Sequence, residues 1–184
     1  MKKKVYVILG SSRPNRKSDV IAQWFLSLAK PTDIDFEIVD LATWKLPLFD
    51  EPLPPSMNQY QNDHTKKWAK KIAAADGFIL VTPEYNHGIP AILKNALDYL
   101  KAEWDAKPVG FIAYGWASGK HVIEHLRQVV TILGMNPLED AVTIRLAQEI
   151  MDEQGNLVEP SASLAAHEPE VARLVASLST ALSS

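Results

Sequence analysis

The stretch that most constrains this chain is residues 77–100, where an apolar run gives way to a proline-punctuated loop and then to a helical pattern. Gly77-Phe78-Ile79-Leu80-Val81 shows no polar alternation, which is the pattern of a strand covered on both faces. Pro83 ends it, because proline donates no ladder hydrogen bond. Pro90 falls at the expected first turn of a helix, where a missing N–H costs nothing. Ile92, Leu93, Ala96, Leu97 and Leu100 then recur at helical spacing. Residues 83–88 therefore form a loop at the carboxyl end of a buried strand. In an open parallel α/β sheet that is where ligands bind.

The same order of elements recurs along the chain. Val5-Tyr6-Val7-Ile8-Leu9 reads as a first buried strand, followed by a polar loop over 10–18. Val20, Ile21, Trp24, Phe25, Leu28 and Ala29 trace the apolar face of a helix, with Ser18 or Asp19 as its expected N-cap. Phe36-Glu37-Ile38-Val39-Asp40 is a second strand. Pro47, Pro52, Pro54 and Pro55 exclude a long helix over 41–60, a connection long enough to be functional or interfacial. A helix over about 63–75, capped by Asn62 or Asp63, precedes the central strand. A fourth strand at 109–114 leads into the small-residue loop 115–119. The helix carrying Val122, Ile123, Leu126, Val129, Val130 and Leu133 follows and stops at Gly134. A fifth strand lies within 137–144, a polar excursion within 148–161, and a last helix over 164–182. Alternating strands and helices imply a parallel sheet with right-handed crossovers. The expected fold is therefore a three-layer α/β sandwich, its five strands in the order 2-1-3-4-5 with helices on both faces, in one domain over residues 1–184.

Three loops meet in that topology: 10–18, 83–88 and 115–119. The first joins a strand to a helix N-terminus, where main-chain N–H groups and the helix dipole favour an anion. Its three serines, Asn15 and the guanidinium groups of Arg13 and Arg16 suit a phosphate. The loop lacks the second glycine and the Lys-Ser/Thr pair of a triphosphate-binding loop, and the three glycines of a dinucleotide fingerprint. A single entry glycine among hydroxyls fits a terminal monophosphate; a merely solvated polar loop is the alternative. Strands one and three flank the switch point of this strand order, where a mononucleotide cofactor sits. Tyr85, Asn86, Trp116 and Ser118 on the other two loops suit a flat ring. With no cysteine in 184 residues there is no thiol redox chemistry, so any redox role needs a bound cofactor. A net charge of −3 gives no bulk attraction to nucleic acid or membrane. No run approaches the ~18 apolar residues of a spanning helix, and Lys2-Lys3-Lys4 reads as a solvated start before a strand, not a leader. A cytoplasmic location is expected.

From residue 5 to residue 144 the chain resembles the NAD(P)H-dependent FMN reductase family of flavodoxin-like proteins, which includes quinone, azo-dye and chromate reductases. The most specific motif is Pro83-Glu84-Tyr85-Asn86, followed by Pro90 and by Leu93-Lys94-Asn95-Ala96-Leu97-Asp98. Gly10-Ser11-Ser12-Arg13 is a second. Trp104, Lys107-Pro108-Val109 and Leu126-Arg127-Gln128-Val129 make a third. The resemblance implies that Ser11, Arg13 and Ser18, joined by Arg16, hold the phosphate of FMN. It implies that Pro83, Glu84, Tyr85 and Asn86 line the isoalloxazine edge, largely through main chain. Gly115, Trp116, Ser118 and Gly119 would cover the dimethylbenzene or pyrimidine side. One departure lies there, because many relatives have a more glycine-rich third loop where this chain has Trp116, Lys120 and His121.

The implied activity is ping-pong hydride transfer from NADPH or NADH to bound FMN and on to a small acceptor, such as a flavin, quinone, azo compound or metal oxyanion, with no essential catalytic acid. The implied assembly is a homodimer or dimer of dimers, with 46–60 and the helix after Pro90 as interface candidates. A flavodoxin-type electron carrier and a flavin-binding sensor are the alternatives. Strong acidity around the flavin is usual in a carrier, and a net charge of −3 with two arginines in the phosphate loop speaks against it.

The remaining polar residues have plain readings. Glu84 fixes a turn. Lys94 and Asp98 form a helix-surface pair four residues apart. His87 is an exposed loop residue. His121 and His125 share a helix face with no third metal ligand in view. Trp24, Trp44, Trp68 and Trp104 anchor the core or an interface.

Overall fold

The computed structural model describes residues 2–30 and 33–183, with Glu149 described by its backbone only. In chain order the elements are β1 (Lys3–Leu9), α1 (Ser18–Leu28), β2 (Ile34–Asp40), the single turn α2 (Leu41–Trp44), α3 (Asp63–Ala73), β3 (Gly77–Pro83) and α4 (Ala91–Asp98). They continue with β4 (Pro108–Gly115), α5 (Lys120–Ile132), β5 (Asn136–Arg145), the short α6 (Pro160–Ser163) and α7 (Glu168–Ser183). All strand pairs are parallel and the order is β2-β1-β3-β4-β5, as the alternation predicts.

Side chains alternate across the pleat and so supply two cores, one on each face of the sheet. Tyr6, Ile8, Phe78, Leu80, Val109 and Phe111 point to one face, where they meet Trp68 and Ile72 of α3, Leu93 and Leu97 of α4, and Leu126 and Val130 of α5. Val5, Val7, Leu9, Ile79, Val81 and Ile112 point to the other, against Ile21 and Phe25 of α1 and Leu174 and Leu178 of α7. The two central strands, β3 and β4, are buried along their whole length, which explains their unbroken apolar runs. Trp24, Trp68 and Trp104 are buried and Trp44 packs against the core, as anchors. Among the described residues no helix is long and apolar enough to cross a membrane.

Several helix ends differ from expectation, each for a visible reason. The N-cap of α1 is Lys17, without a side-chain bond; Ser18 is the first helical residue, and the Asp19 carboxylate accepts from the adjacent Val20 N–H. Asn62 does occupy the N-cap of α3, but its Nδ2 donates to Asp50 O and Oδ1, and with the side chain held that way its oxygen caps no helix N–H. The helix expected over 164–182 begins only at Glu168, because Pro169 lacks an N–H and fits a first turn, not a helix interior. The 41–60 connection is pinned to α4. Asn95 accepts from Phe49 N–H and donates to Pro47 O, while Tyr99 donates to Asp50. Lys94 and Asp98 form the expected surface pair.

Candidate functional site

The three loops do converge, at the carboxyl ends of β1, β3 and β4. The Gly10 N–H binds Val81 O at 2.8 Å, holding the first loop beside β3. Asp40, the last residue of β2, then shapes that loop. Its Oδ1 accepts from Ala42 N–H and caps α2, while its Oδ2 accepts from Arg16 Nη2 at 2.6 Å. Arg16 Nη1 donates to Ser11 O at 2.9 Å. Both terminal nitrogens of Arg16 are thus engaged by protein, and the side chain works as a brace. Arg13, by contrast, is exposed and makes no ion pair among the described residues. It remains the uncommitted cation of the loop.

The second loop is fixed just as firmly. Glu84 N–H donates to Tyr114 O at 2.9 Å, and Tyr85 and Gly88 exchange two backbone bonds around Asn86 and His87. Both central residues are left-handed, at φ 50° and 63°. Asn tolerates that conformation better than His does. The Tyr85 hydroxyl lies 3.0 Å from Ser11 Oγ, joining the second loop to the first. Glu84 does fix structure: its Oε2 accepts from the N–H groups of His121 and Val122, so it caps α5 across the third loop. Replacing Glu84 by alanine is expected to cost about 0.5–2 kcal/mol of stability, with the glutamine variant losing less because it keeps an acceptor. Urea unfolding of the cofactor-free protein measures both; equal stability of all three proteins would show that the cap contributes nothing.

Between the loops lies a cleft of about 750 Å³, within the ~300–1,000 Å³ range of small-molecule sites. Its walls include Arg13, Arg16, Pro83, Glu84, Tyr85, Asn86, Gly115 and Trp116. Four other expected residues stand behind the walls or beside them. Ser11 and Ser18 are buried, Gly119 is buried where α5 begins, and Ser118 turns the chain at φ 67°. Sequence reasoning missed two contributors. Tyr114, at the end of the fourth strand, lines the cleft although its hydroxyl is buried. Leu146, Met151, Gln154 and Gly155, from the polar excursion after β5, form a further wall, and Lys17 Nζ ties that segment down through Asn156 Oδ1 at 3.2 Å. The turn sequence Asp152-Glu153-Gln154-Gly155 marks the excursion as a reversal, but nothing in it says where the reversal lands.

Behind the cleft wall, Ser18 Oγ and Tyr114 Oη are buried next to each other, and neither completes a well-formed hydrogen bond among the described residues. Burial pushes the Tyr114 phenol well above its ordinary pKa, so it stays a neutral donor. The N–H groups of Ser18 and Asp19 at the start of α1 have no intrahelical acceptor, while that of Val20 is taken by the Asp19 carboxylate. Unpaired buried hydroxyls are costly, and a helix N-terminus with a free arginine beside it favours an anion.

The family model for NADPH-dependent FMN reductases matches residues 3–149. The chain belongs to this family. An NAD(P)H-dependent FMN reductase of Schizosaccharomyces pombe is 43% identical over 157 residues, covering 81% of this chain and 78% of that one. A 2-hydroxy-1,4-benzoquinone reductase of a Burkholderia species is 33% identical over 168 residues, covering 84% and 85%. Among solved structures, the flavoenzyme NAD(P)H:acceptor oxidoreductase FerB of Paracoccus denitrificans superposes with a TM-score of 0.74, at 19% identity over 97% of this chain and 98% of that one, a likeness of fold. This family member has a cleft whose donors fit FMN. The start of α1 and the exposed Arg13 guanidinium suit its phosphate, and Tyr85, Trp116 and strand-end backbone suit its ring.

Proposed function

We propose that the cleft holds FMN with its phosphate at the α1 N-terminus, contacted by Arg13, Ser18 and Tyr114, and its ring between 83–86 and 115–116. The single observation that carries this reading is a cleft at the sheet's switch point with the exposed Arg13 and the start of α1 beside it. When bound, FMN supplies the two-electron chemistry between NADPH or NADH and a small acceptor. The residues bind, orient and exclude water. Arg16 and Asp40 hold the phosphate loop in shape. Glu84 keeps the second loop and α5 in fixed relation, so that main chain, not a titrating side chain, faces the ring edge. Nicotinamide and acceptor use the same ring face in turn, a ping-pong cycle. The acceptor class is a quinone or another planar small molecule, as the name of the Burkholderia relative suggests.

The same reading makes 1–184 one FMN-binding domain that works in the cytoplasm as a homodimer. Exposed Leu48, 82% accessible, and Met57, 52% accessible, on the pinned 46–60 segment support the dimer.

The test is a visible spectrum of the purified protein with FMN, followed by NADPH or NADH without oxygen. The bound flavin is expected to bleach. In the Arg13→Ala protein FMN should bind about tenfold more weakly, the lower end of what a charge-assisted hydrogen bond contributes at an exposed site. Bound flavin that stays oxidised would favour the carrier or sensor; failure to bind flavin would overturn the assignment of the cleft.

A further inference from the structure

Beside Glu84, a wall of the same cleft, the fold assembles two side chains that the flavin reading does not use. His121 lies in the first turn of α5, and its N–H is held by Glu84 Oε2. His87 stands on the tight turn after β3, fixed by the two bonds between Tyr85 and Gly88. Their imidazole rings stack, with centroids 4.0 Å apart and planes 22° from parallel. One ligand atom from each of Glu84, His87 and His121 lies within 4.8 Å of the other two. We propose that Glu84, His87 and His121 form a binding site for a divalent borderline metal ion, with zinc as the type ion.

Three features support the assignment. The donor set of two imidazoles and a carboxylate is one that zinc takes with three protein ligands and an open position for water. The carboxylate is already oriented, because its Oε2 accepts from the N–H groups of His121 and Val122 while the other oxygen accepts no hydrogen bond among the described residues. Hydrogen-bonded ligating carboxylates are the rule in metal sites, where such outer bonds fix the geometry. Those same N–H groups are the positive end of α5, and the carboxylate on them offsets the dipole that would otherwise repel a cation.

Zinc bonds of about 2.0–2.2 Å place neighbouring ligand atoms of a tetrahedral site roughly 3.4 Å apart, so the group must close by about 1–1.5 Å. His87 is exposed and His121 and Glu84 are half-buried, which leaves both rings free to rotate out of their stack. His121 is thus partnered not by His125, four residues along its own helix, but by a residue 34 positions away that the β3 and β4 loops bring to it. An ion held there would link the two loops that wall the ring end of the cleft.

The inference does not depend on the flavin assignment, and neither does its test. Zinc is titrated by calorimetry into the chelator-treated, untagged protein as purified. One equivalent per chain is expected to bind. His87→Ala and His121→Ala should each weaken binding at least about tenfold, the least that loss of an outer-shell partner alone costs. His125→Ala should leave it unchanged. Cobalt(II) absorption provides a second readout, since a four-coordinate site gives an intense visible band that both variants should lose while circular dichroism shows them folded. Saturation only above about 1 mM zinc, or an affinity that neither histidine variant alters, would overturn the proposal.

Discussion

Replacing Trp68 by alanine is expected to lower stability by about 3–5 kcal/mol, a large part of the ~5–15 kcal/mol that holds a domain folded. Trp68 is fully buried in α3 and stacks edge-on against Trp44 at 4.9 Å and Trp104 at 6.3 Å. Its Nε1 donates to Ala96 O in α4 at 2.9 Å, so one side chain both fills the core and locks two helices together. Alanine removes the packing and the donor at once. Phenylalanine keeps most of the volume and should cost markedly less. Urea unfolding of the two variants measures the difference. A loss under about 1 kcal/mol for alanine would mean that the surrounding helices collapse into the void.

The second large effect is expected at Gly119, the N-cap of α5. Its φ is +76°, and a Cβ there would lie 2.6 Å from Ala113 Cβ and 2.8 Å from Tyr114 N. Alanine therefore meets two costs. The left-handed backbone adds about 1–2 kcal/mol. The clash forces β4 and the third loop apart, which adds about 1–3 kcal/mol more. Gly155 supplies the control, since it shares the conformation at φ +74° but has nothing within 4 Å of its virtual Cβ. Gly155→Ala should show only the backbone part. Thermal unfolding compares them, and FMN binding to Gly119→Ala should weaken as Gly115 and Trp116 move. Equal stability of the two alanine variants would mean that the backbone near Ala113 yields freely.

The fold was legible because its signals are local. Residues 77–81 are apolar on both faces, so the strand had to be central, and α/β alternation then leaves few strand orders. The motif at 83–86 and the serine-arginine loop mark two walls of the cleft for the same reason: each is written in consecutive residues. What escaped was relational. Nothing in the sequence around Arg16 says that Asp40, 24 residues on, will take its guanidinium, nor that Tyr114 at a strand end will join Tyr85 in the cleft lining. The 146–155 wall is placed by Leu146 N–H on Gly115 O, by apolar packing and by a lysine–asparagine bond, and His121 finds His87 only because two parallel strands end side by side. Helix caps failed similarly. Asn62 has the right residue type in the right place, but its amide nitrogen is drawn to the Asp50 carboxylate and the side chain turns away from the helix.

The brace of Asp40, Arg16 and Ser11 has a consequence for how a cofactor comes and goes. Because these groups hold one another, the anion-binding loop has its shape before any ligand arrives. Docking then orders little new chain, and the affinity is not spent on organising the receptor. A receptor of this kind can lose its ligand without losing its form. The empty protein would stand as a ready acceptor, refilled at the pace of diffusion and desolvation, and not at the pace of a folding event.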